Sequence, residues 1–218
     1  MTVSRDAWQR LIESPTHWLA PEHLDALLGD IGDAQSRHRL CSLPRFQHRL
    51  SERIRTRHKL TALHELPPPS AEELAVYRLV TKASDTLAHH CGAVCQARSL
   101  AQEIRAPRVN ALKQSIGESC FTQALALIEL ARPNATELED LERLGPLLEQ
   151  DGHACLAAWF DTQPAPLRAW LALGSIAGVS AKEDRQDPWI TMHGAEIVRR
   201  VAATLADGDR ETSDSERT

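Results

Sequence analysis

The sequence predicts an all-α protein, and three observations carry that prediction. Ala (30) and Leu (29) dominate the 218 residues, while Val and Ile together number 17 and Phe plus Tyr four. Ala and Leu lose little on entering a helix, whereas strands favour β-branched and aromatic residues. Apolar residues recur at three- and four-residue intervals along most of the chain, the spacing that builds one helical face. Pro, Gly and capping residues then divide the chain into helix-sized pieces.

Taken in order, a first short helix is expected from the N-cap Ser4 to just before Pro15, with Trp8, Leu11 and Ile12 on one face. Pro21 suits the first position of a second helix, whose Leu24, Leu27 and Leu28 point inward before Gly29. From Arg45 to about Leu63, Phe46, Leu50 and Ile54 recur every fourth residue as a narrow stripe. Pro67-Pro68-Pro69 then forms a stiff extended joint, since three prolines cannot continue a helix.

Ser70 and Glu73 form a capping box opening a long helix. Leu74, Tyr77, Val80, Leu87, Cys91, Val94 and Cys95 keep its spacing towards Arg105, with a bend expected at Gly92. Pro107 opens another helix carrying Val109, Leu112 and Ile116 before Gly117, and Phe121, Leu125 and Ile128 line the next. Thr136 and Glu139 make a second capping box. Leu156, Trp159 and Phe160, then Leu167, Trp170, Leu171 and Leu173, supply the largest apolar groups, so Trp159 and Trp170 are expected as core anchors. A loop is expected between Gly174 and Asp187, and Pro188 opens a final helix with Trp189, Ile197, Val198, Val201 and Leu205. The expected organisation is an N-terminal helical segment, 1–66, a main helical domain, 70–206, and a disordered acidic tail, 207–218, which lacks apolar residues.

Several function classes lose support at this level. The longest uncharged stretch, Ala169 to Ala181, is 13 residues, too short for a bilayer span of about 20 residues. The opening MTVSRDAWQR lacks the apolar core of a secretory signal. Five scattered cysteines (Cys41, Cys91, Cys95, Cys120, Cys155) fit a reducing compartment, so a soluble cytosolic protein is expected. No P-loop, dinucleotide fingerprint or nucleophile elbow is present.

The net charge of −5 hides a strong local asymmetry. Eight basic residues between Arg37 and Lys59 face one acid, Glu52, giving a local +7; residues 1–36 carry −4 and residues 129–151 carry −5. Arg45, Arg49 and Arg53 fall at i, i+4 and i+8, a row on one helical side. Such a row suits an acidic protein surface, nucleic-acid phosphates, or pairing with the acidic segments of the chain itself. The stretch lacks interleaved aromatics and any helix-turn-helix pattern, which argues against nucleic acid.

His89-His90-Cys91 with Cys95 is the most metal-like cluster, because i, i+4 cysteines share a helical face and Zn²⁺ favours sulfur and nitrogen. The same cysteines also lie on the apolar stripe with Leu87 and Val94, where free Cys packs as a small hydrophobe. With no second ligand pair, core packing is the expectation and no metal or other cofactor is assigned. His153-Ala154-Cys155 offers a thiol beside a potential base, though catalysis needs a third, orienting group in reach. No catalytic residue is assigned.

Trp18-Leu19-Ala20-Pro21-Glu22-His23-Leu24 resembles the aromatic-Leu-x-Pro-x-x-Leu signature near the N-terminus of the SctK family (YscK, PscK and relatives). The resemblance continues through Leu63-His64-Glu65-Leu66-Pro67, Glu73-Leu74 and Arg78-Leu79. It returns at Gly152-His153-Ala154-Cys155-Leu156-Ala157-Ala158-Trp159, Pro166-Leu167 and Trp170-Leu171-Ala172-Leu173. This resemblance implies a helical, non-enzymatic, cytosolic accessory protein of a bacterial type III secretion system. Its partners would be the cytoplasmic domain of the inner-membrane ring protein (SctD-like) and the pod protein of the sorting platform (SctQ-like). It would reach the membrane only through those partners and need no small-molecule substrate. Arg45, Arg49 and Arg53 are then the candidate partner-binding residues, with a helical nucleic-acid-binding regulator as the alternative.

Overall fold

A computed structural model describes residues 8–9, 12–14, 16, 19–29, 33–134, 143–174 and 187–215. Among them are ten α-helices, two short 3₁₀ turns and no strand, so the all-α expectation holds. The expected helix start at Ser4, the capping box at Thr136 and most of the loop after Gly174 lie outside the described residues.

Helix α1 (Pro21–Leu28) begins with proline in its first turn, as expected. Helix α2 (Ala34–Ser42) was not foreseen from apolar spacing, since Leu40 and Cys41 alone give it apolar bulk. Its start is set by Asp33, whose carboxylate accepts from the Ser36 N–H at 2.7 Å. Helix α3 (Pro44–His58) stops short of Leu63 because Lys59 turns left-handed (φ 53°, ψ 44°) and the Leu60 N–H donates back to the Arg55 carbonyl at 3.0 Å. That turn brings Leu60, Ala62 and Leu63 into the core.

Helix α4 (Ala71–Cys95) starts where Ser70 Oγ accepts from the Glu73 N–H at 3.2 Å. It breaks at Ala83 (φ −151°, ψ 49°), not at Gly92 as the sequence suggested. After a one-residue interruption come α5 (Ala97–Gln102), α6 (Ala106–Ile116) and α7 (Glu118–Ala126). Gly117 between the last two takes φ 89°, a conformation only glycine adopts without strain. Helices α8 (Leu144–Asp161), α9 (Ala165–Leu171) and α10 (Pro188–Ser215) complete the chain.

The helices form two compact units: 1–81 with 163–181, and 82–162 with 182–218. This partition departs from the expected division at the proline joint. The first eleven residues of α4, 71–81, bury Leu74, Val76, Tyr77 and Val80 within the first unit. There Tyr77 Oη donates to Gln163 Oε1 at 2.6 Å, and Trp170 Nε1 donates to the Thr61 carbonyl at 2.7 Å. The Ala20 N–H donates to the Leu173 carbonyl at 2.8 Å, so three ties draw 163–173 onto the N-terminal unit. Burial of those long apolar groups outweighs the chain stiffness of the prolines as the determinant of the boundary.

In the second unit the later part of α4 crosses α8 at backbone distance. A Cβ on Gly92 would lie 1.9 Å from the Leu148 carbonyl oxygen, and one on Gly152 would lie 1.8 Å from that of Ala88. Glycine at both positions lets the helices approach until only backbone separates them. Around the crossing, Leu148, Leu156, Trp159, Ile197, Val198 and Val201 are buried, the last three on α10. Trp159 and, in the first unit, Trp170 are fully buried, as expected of core anchors. Helix α10 runs on to Ser215, so the expected disordered tail is helical over 207–215. Each further residue of an already anchored helix adds a hydrogen bond without a new nucleation cost, so propagation carries it past the last apolar position.

Candidate functional site

The arginine row lies on α3 in the first unit. Leu50 and Ile54 are buried, Gln47 is buried beside them, and Phe46 is half-buried. Gln47 earns its place by hydrogen bonding: its amide donates to the Cys41 carbonyl, and its Oε1 accepts from Thr16 Oγ1 at 3.0 Å. This buried polar contact fixes the rotation of α3 about its axis. The rotation leaves Arg45, Arg49 and Arg53 exposed. Successive helix residues turn by about 100°, so the row adjoins the apolar stripe instead of opposing it. The Arg45 guanidinium accordingly sits 4.8 Å from the centre of the Phe46 ring, a cation–π contact.

Three of the other basic residues of this stretch are tied to neighbours. Arg55 pairs with Glu52 at 2.7 Å, which holds that carboxyl below the usual carboxylate range. Arg37 pairs with Asp25 at 3.0 Å, and Arg57 Nη1 donates to the Ala26 carbonyl at 2.6 Å. Among the described residues, Arg45, Arg49 and Arg53 join no ion pair, so the one acid of the basic stretch leaves them uncompensated. Three guanidinium groups about 6 Å apart along the axis offer bidentate forks to carboxylates or phosphates.

The same unit contains a cleft of about 410 Å³ lined by Glu13, Pro44, Gln47, His48, Glu52 and Leu63, among others. Its Glu52 carboxylate is engaged by Arg55. On another side of α3, the His58 ring stands edge-on to His23 at 5.7 Å, and burial pushes its pKa below the ordinary histidine value.

The second unit holds the sequence's other candidates, and it does not assemble them into a reactive site. Cys91, Cys95, Cys120 and Cys155 are all buried free thiols. Burial raises Cys91 well above an ordinary thiol and pushes Cys120 up to about 12. Cys155 is raised first by its hydrogen bond with Cys95, Sγ to Sγ 3.5 Å, and then by burial. Those shifts favour the neutral thiol over the thiolate that a nucleophile or zinc ligand requires. His153 does not reach Cys155: its Nδ1 faces the Glu149 carbonyl at 2.8 Å, on its own helix. His89 Nε2 meets the Ile116 carbonyl at 3.2 Å, while His90 Nδ1 bonds Gln123, whose amide donates on to the Val201 carbonyl at 3.3 Å. Among the described residues, no three His, Cys, Asp or Glu side chains converge as metal ligands.

Sequence reasoning also missed an ionic knot built on the buried Asp151 in this unit. Asp151 accepts from Gln96 Nε2 at 2.6 Å and from Arg132 Nη2 at 2.7 Å, and Arg132 Nη2 also reaches Asp187 at 2.9 Å. Asp187 in turn caps α10, accepting from the Trp189 N–H at 2.8 Å, and the Arg132 guanidinium lies 5.7 Å from the Trp189 ring centre. Burial raises the Asp151 pKa against the opposing pull of Gln96 and Arg132. No local motif marks Gln96, Arg132, Asp151 and Asp187, which are separated by 19 or more positions and meet only on folding.

No known family profile matches the chain, and no solved structure resembles it. Over 92 residues it is 34% identical to the nodulation protein NolU of Rhizobium fredii, and equally to the nodulation protein NolU of Sinorhizobium fredii strain NBRC 101917 / NGR234. The match covers 42% of this chain and 42% of the length of each of these relatives. None of the described helices is long and apolar enough to cross a membrane.

Proposed function

We propose that this protein is a non-enzymatic adaptor of a bacterial type III secretion sorting platform. In this reading it works in the cytosol and joins the cytoplasmic domain of the inner-membrane ring protein to the pod protein. The observation that carries the reading is the exposed arginine row on α3, held outward by a buried stripe and an internal glutamine and left without an ion pair among the described residues. An acidic protein surface is the partner such a row fits. The assembly itself rests on the SctK-like residues, and the partial similarity to a nodulation protein is compatible with it. A helical adaptor of this kind needs no cofactor and no small-molecule substrate.

The test is binding of purified protein to the ring protein's cytoplasmic domain and to the pod protein. Exposed ion pairs contribute about 0–1 kcal/mol each, so a single substitution is expected to be nearly silent. Reversing Arg45, Arg49 and Arg53 to Glu together turns attraction into repulsion, and association with one partner should slow markedly, more at low salt than at high. Wild-type affinity and salt dependence in the triple variant would move the docking surface elsewhere. Binding to neither partner by the wild type would remove the adaptor reading. Steeply salt-dependent binding to duplex or single-stranded nucleic acid, in its place, would establish the nucleic-acid alternative.

A further inference from the structure

The cleft of the first unit and the arginine row share helix α3. Pro44, His48 and Glu52, which line the cleft, each precede a row arginine by one position. One position is a rotation of about 100°, so cleft and row run side by side for about 12 Å along the axis.

The fold fixes the cleft in place. Beyond α3 it is lined by Ile12 and Glu13, and by Ala62 and Leu63, which follow the left-handed turn at Lys59. Gln47, Ala62 and Leu63 are buried, so the cleft is cut into the core of the unit. Gln47 is itself held by Thr16 Oγ1 at 3.0 Å and by the Cys41 carbonyl. The volume of about 410 Å³ is that of a preformed site for a small group.

Charge defines what fits. Glu52 is paired with Arg55 at 2.7 Å, and Glu13 accepts from Gln9 Nε2 at 3.2 Å. Two carboxylates in the lining disfavour an anionic group inside the cleft and tolerate a neutral one. Beside them, Arg45, Arg49 and Arg53 join no ion pair among the described residues. The matching ligand therefore carries carboxylates along the row and a neutral aliphatic group next to them. Nucleic acid matches poorly, since among the described residues no Phe, Tyr or Trp lines the cleft to stack a base. A helix meets both demands, because acids at i, i+4 and i+8 repeat with the period of the row and neighbouring positions face the cleft. We propose that cleft and row form one docking groove for an acidic amphipathic helix of a platform partner, whose carboxylates engage Arg45, Arg49 and Arg53 while a Leu- or Ile-type side chain enters the cleft beside Ser51. This rests on the adaptor reading above and specifies the element that the row binds.

The experiment measures binding of Ser51→Phe, Ser51→Ala and His48→Trp to the ring protein's cytoplasmic domain and to the pod protein, at two salt concentrations. Short peptides tiling both proteins serve as competitors. Phenylalanine at half-buried position 51 fills the cleft, tryptophan at exposed position 48 covers its mouth, and alanine leaves it open. Circular dichroism should match wild type, and His48→Trp tests the cleft even where Ser51→Phe unsettles α3. Both cleft variants should weaken the partner held by the row at least about tenfold at either salt concentration, with Ser51→Ala near wild type. The loss in the Arg45/Arg49/Arg53→Glu variant should instead shrink as salt rises. An acidic peptide with an aliphatic residue should compete. Replacing that residue by Ala should weaken binding to wild type about tenfold and to Ser51→Phe no further, a coupling that damage to α3 alone does not produce. If a partner binds through the row and both cleft variants keep its affinity, or no acidic peptide competes, the inference fails while the adaptor reading stands. Self-association abolished by His48→Trp would make a second copy the occupant and overturn the proposal. Nucleic-acid binding weakened by the cleft variants would overturn it too. Failure of wild type to bind either protein defeats the adaptor reading and this inference with it.

Discussion

The arginine helix of the first unit and the α4–α8 crossing of the second stabilise helices by opposite means. Helix α3 is held by three inward side chains, Gln47, Leu50 and Ile54, and turns most of its circumference to solvent. The α4–α8 crossing has no side chain at its closest points, because Gly92 and Gly152 each meet the other helix's backbone. The first arrangement leaves surface residues free to vary for recognition. The second couples every residue at the contact to the position of a whole helix. A protein can therefore carry an exposed charged row on one unit without loosening the packing of the other, provided the two tasks fall on different elements.

The largest effects should come from emptying the cores on either side of this comparison. Trp170→Ala removes a fully buried ring and its bond to the Thr61 carbonyl, and Trp159→Ala removes the fully buried ring on α8. Each is expected to cost about 3–5 kcal/mol, read as a fall in the denaturant midpoint with tryptophan emission as probe. Unaltered midpoints would mean that neither ring is an anchor.

Gly92→Ala should approach the lower end of that range although it adds a single methyl group. The added carbon would sit 1.9 Å from a backbone oxygen, which can move away only if α8 moves with it. We expect about 3 kcal/mol of destabilisation, against a gain of up to about 1 kcal/mol for the same change at an unobstructed helix position. A stabilised Gly92→Ala variant would refute the close crossing.

Arg132→Ala should cost less, about 1–3 kcal/mol, because Asp151 keeps Gln96 and can take up a proton. The pH dependence sharpens this. The folded-state pKa of Asp151 is raised by burial, so the folded protein binds this proton more tightly than the unfolded chain does. Its contribution to stability is fully present below the ordinary Asp value of about 3.9 and is lost as pH rises through the raised value. Removing Arg132 withdraws an attraction that lowers that pKa, so the loss should extend to higher pH. Urea titrations of wild type and variant across the acid range would show the shift; identical pH profiles would exclude the coupling.

Smallest of all should be the effect of the Arg45/Arg49/Arg53→Glu variant on stability, within about 1 kcal/mol, because all three side chains are exposed and Phe46 loses only one cation–π contact. A collapse of the fold in this variant would show that the row serves α3 itself, and the contrast between the two regions would disappear.

Much of the first region was legible in the sequence. Four-residue spacing places Phe46, Leu50 and Ile54 on a shared side, and the same periodicity aligns the three arginines, since one helical turn repeats every 3.6 residues. Ser70 and Pro107 marked helix starts because their chemistry is local: a hydroxyl that can accept an orphan N–H, and a ring that already holds a helical φ. The anchors Trp159 and Trp170 were legible for a similar reason, since rings of that size among leucines have nowhere else to go.

Other features were decided by tertiary contact alone. Gly92 reads in sequence as a place where a helix bends, and only the arrival of Leu148, 56 positions away, makes it a place where helices touch. The true break falls at Ala83, a residue with no local reason to leave the helix. The bonds that Gln96 and Arg132 make to the buried Asp151 join groups that a reader of the sequence would place in solvent. The sequence by itself determined where helices begin, which faces are apolar and which residues must be buried, because those properties depend on neighbours three or four positions apart. Only the tertiary structure decided where the chain divides into units, which small residues lie at a crossing and which charges become internal, because each depends on residues brought together from distant parts of the chain.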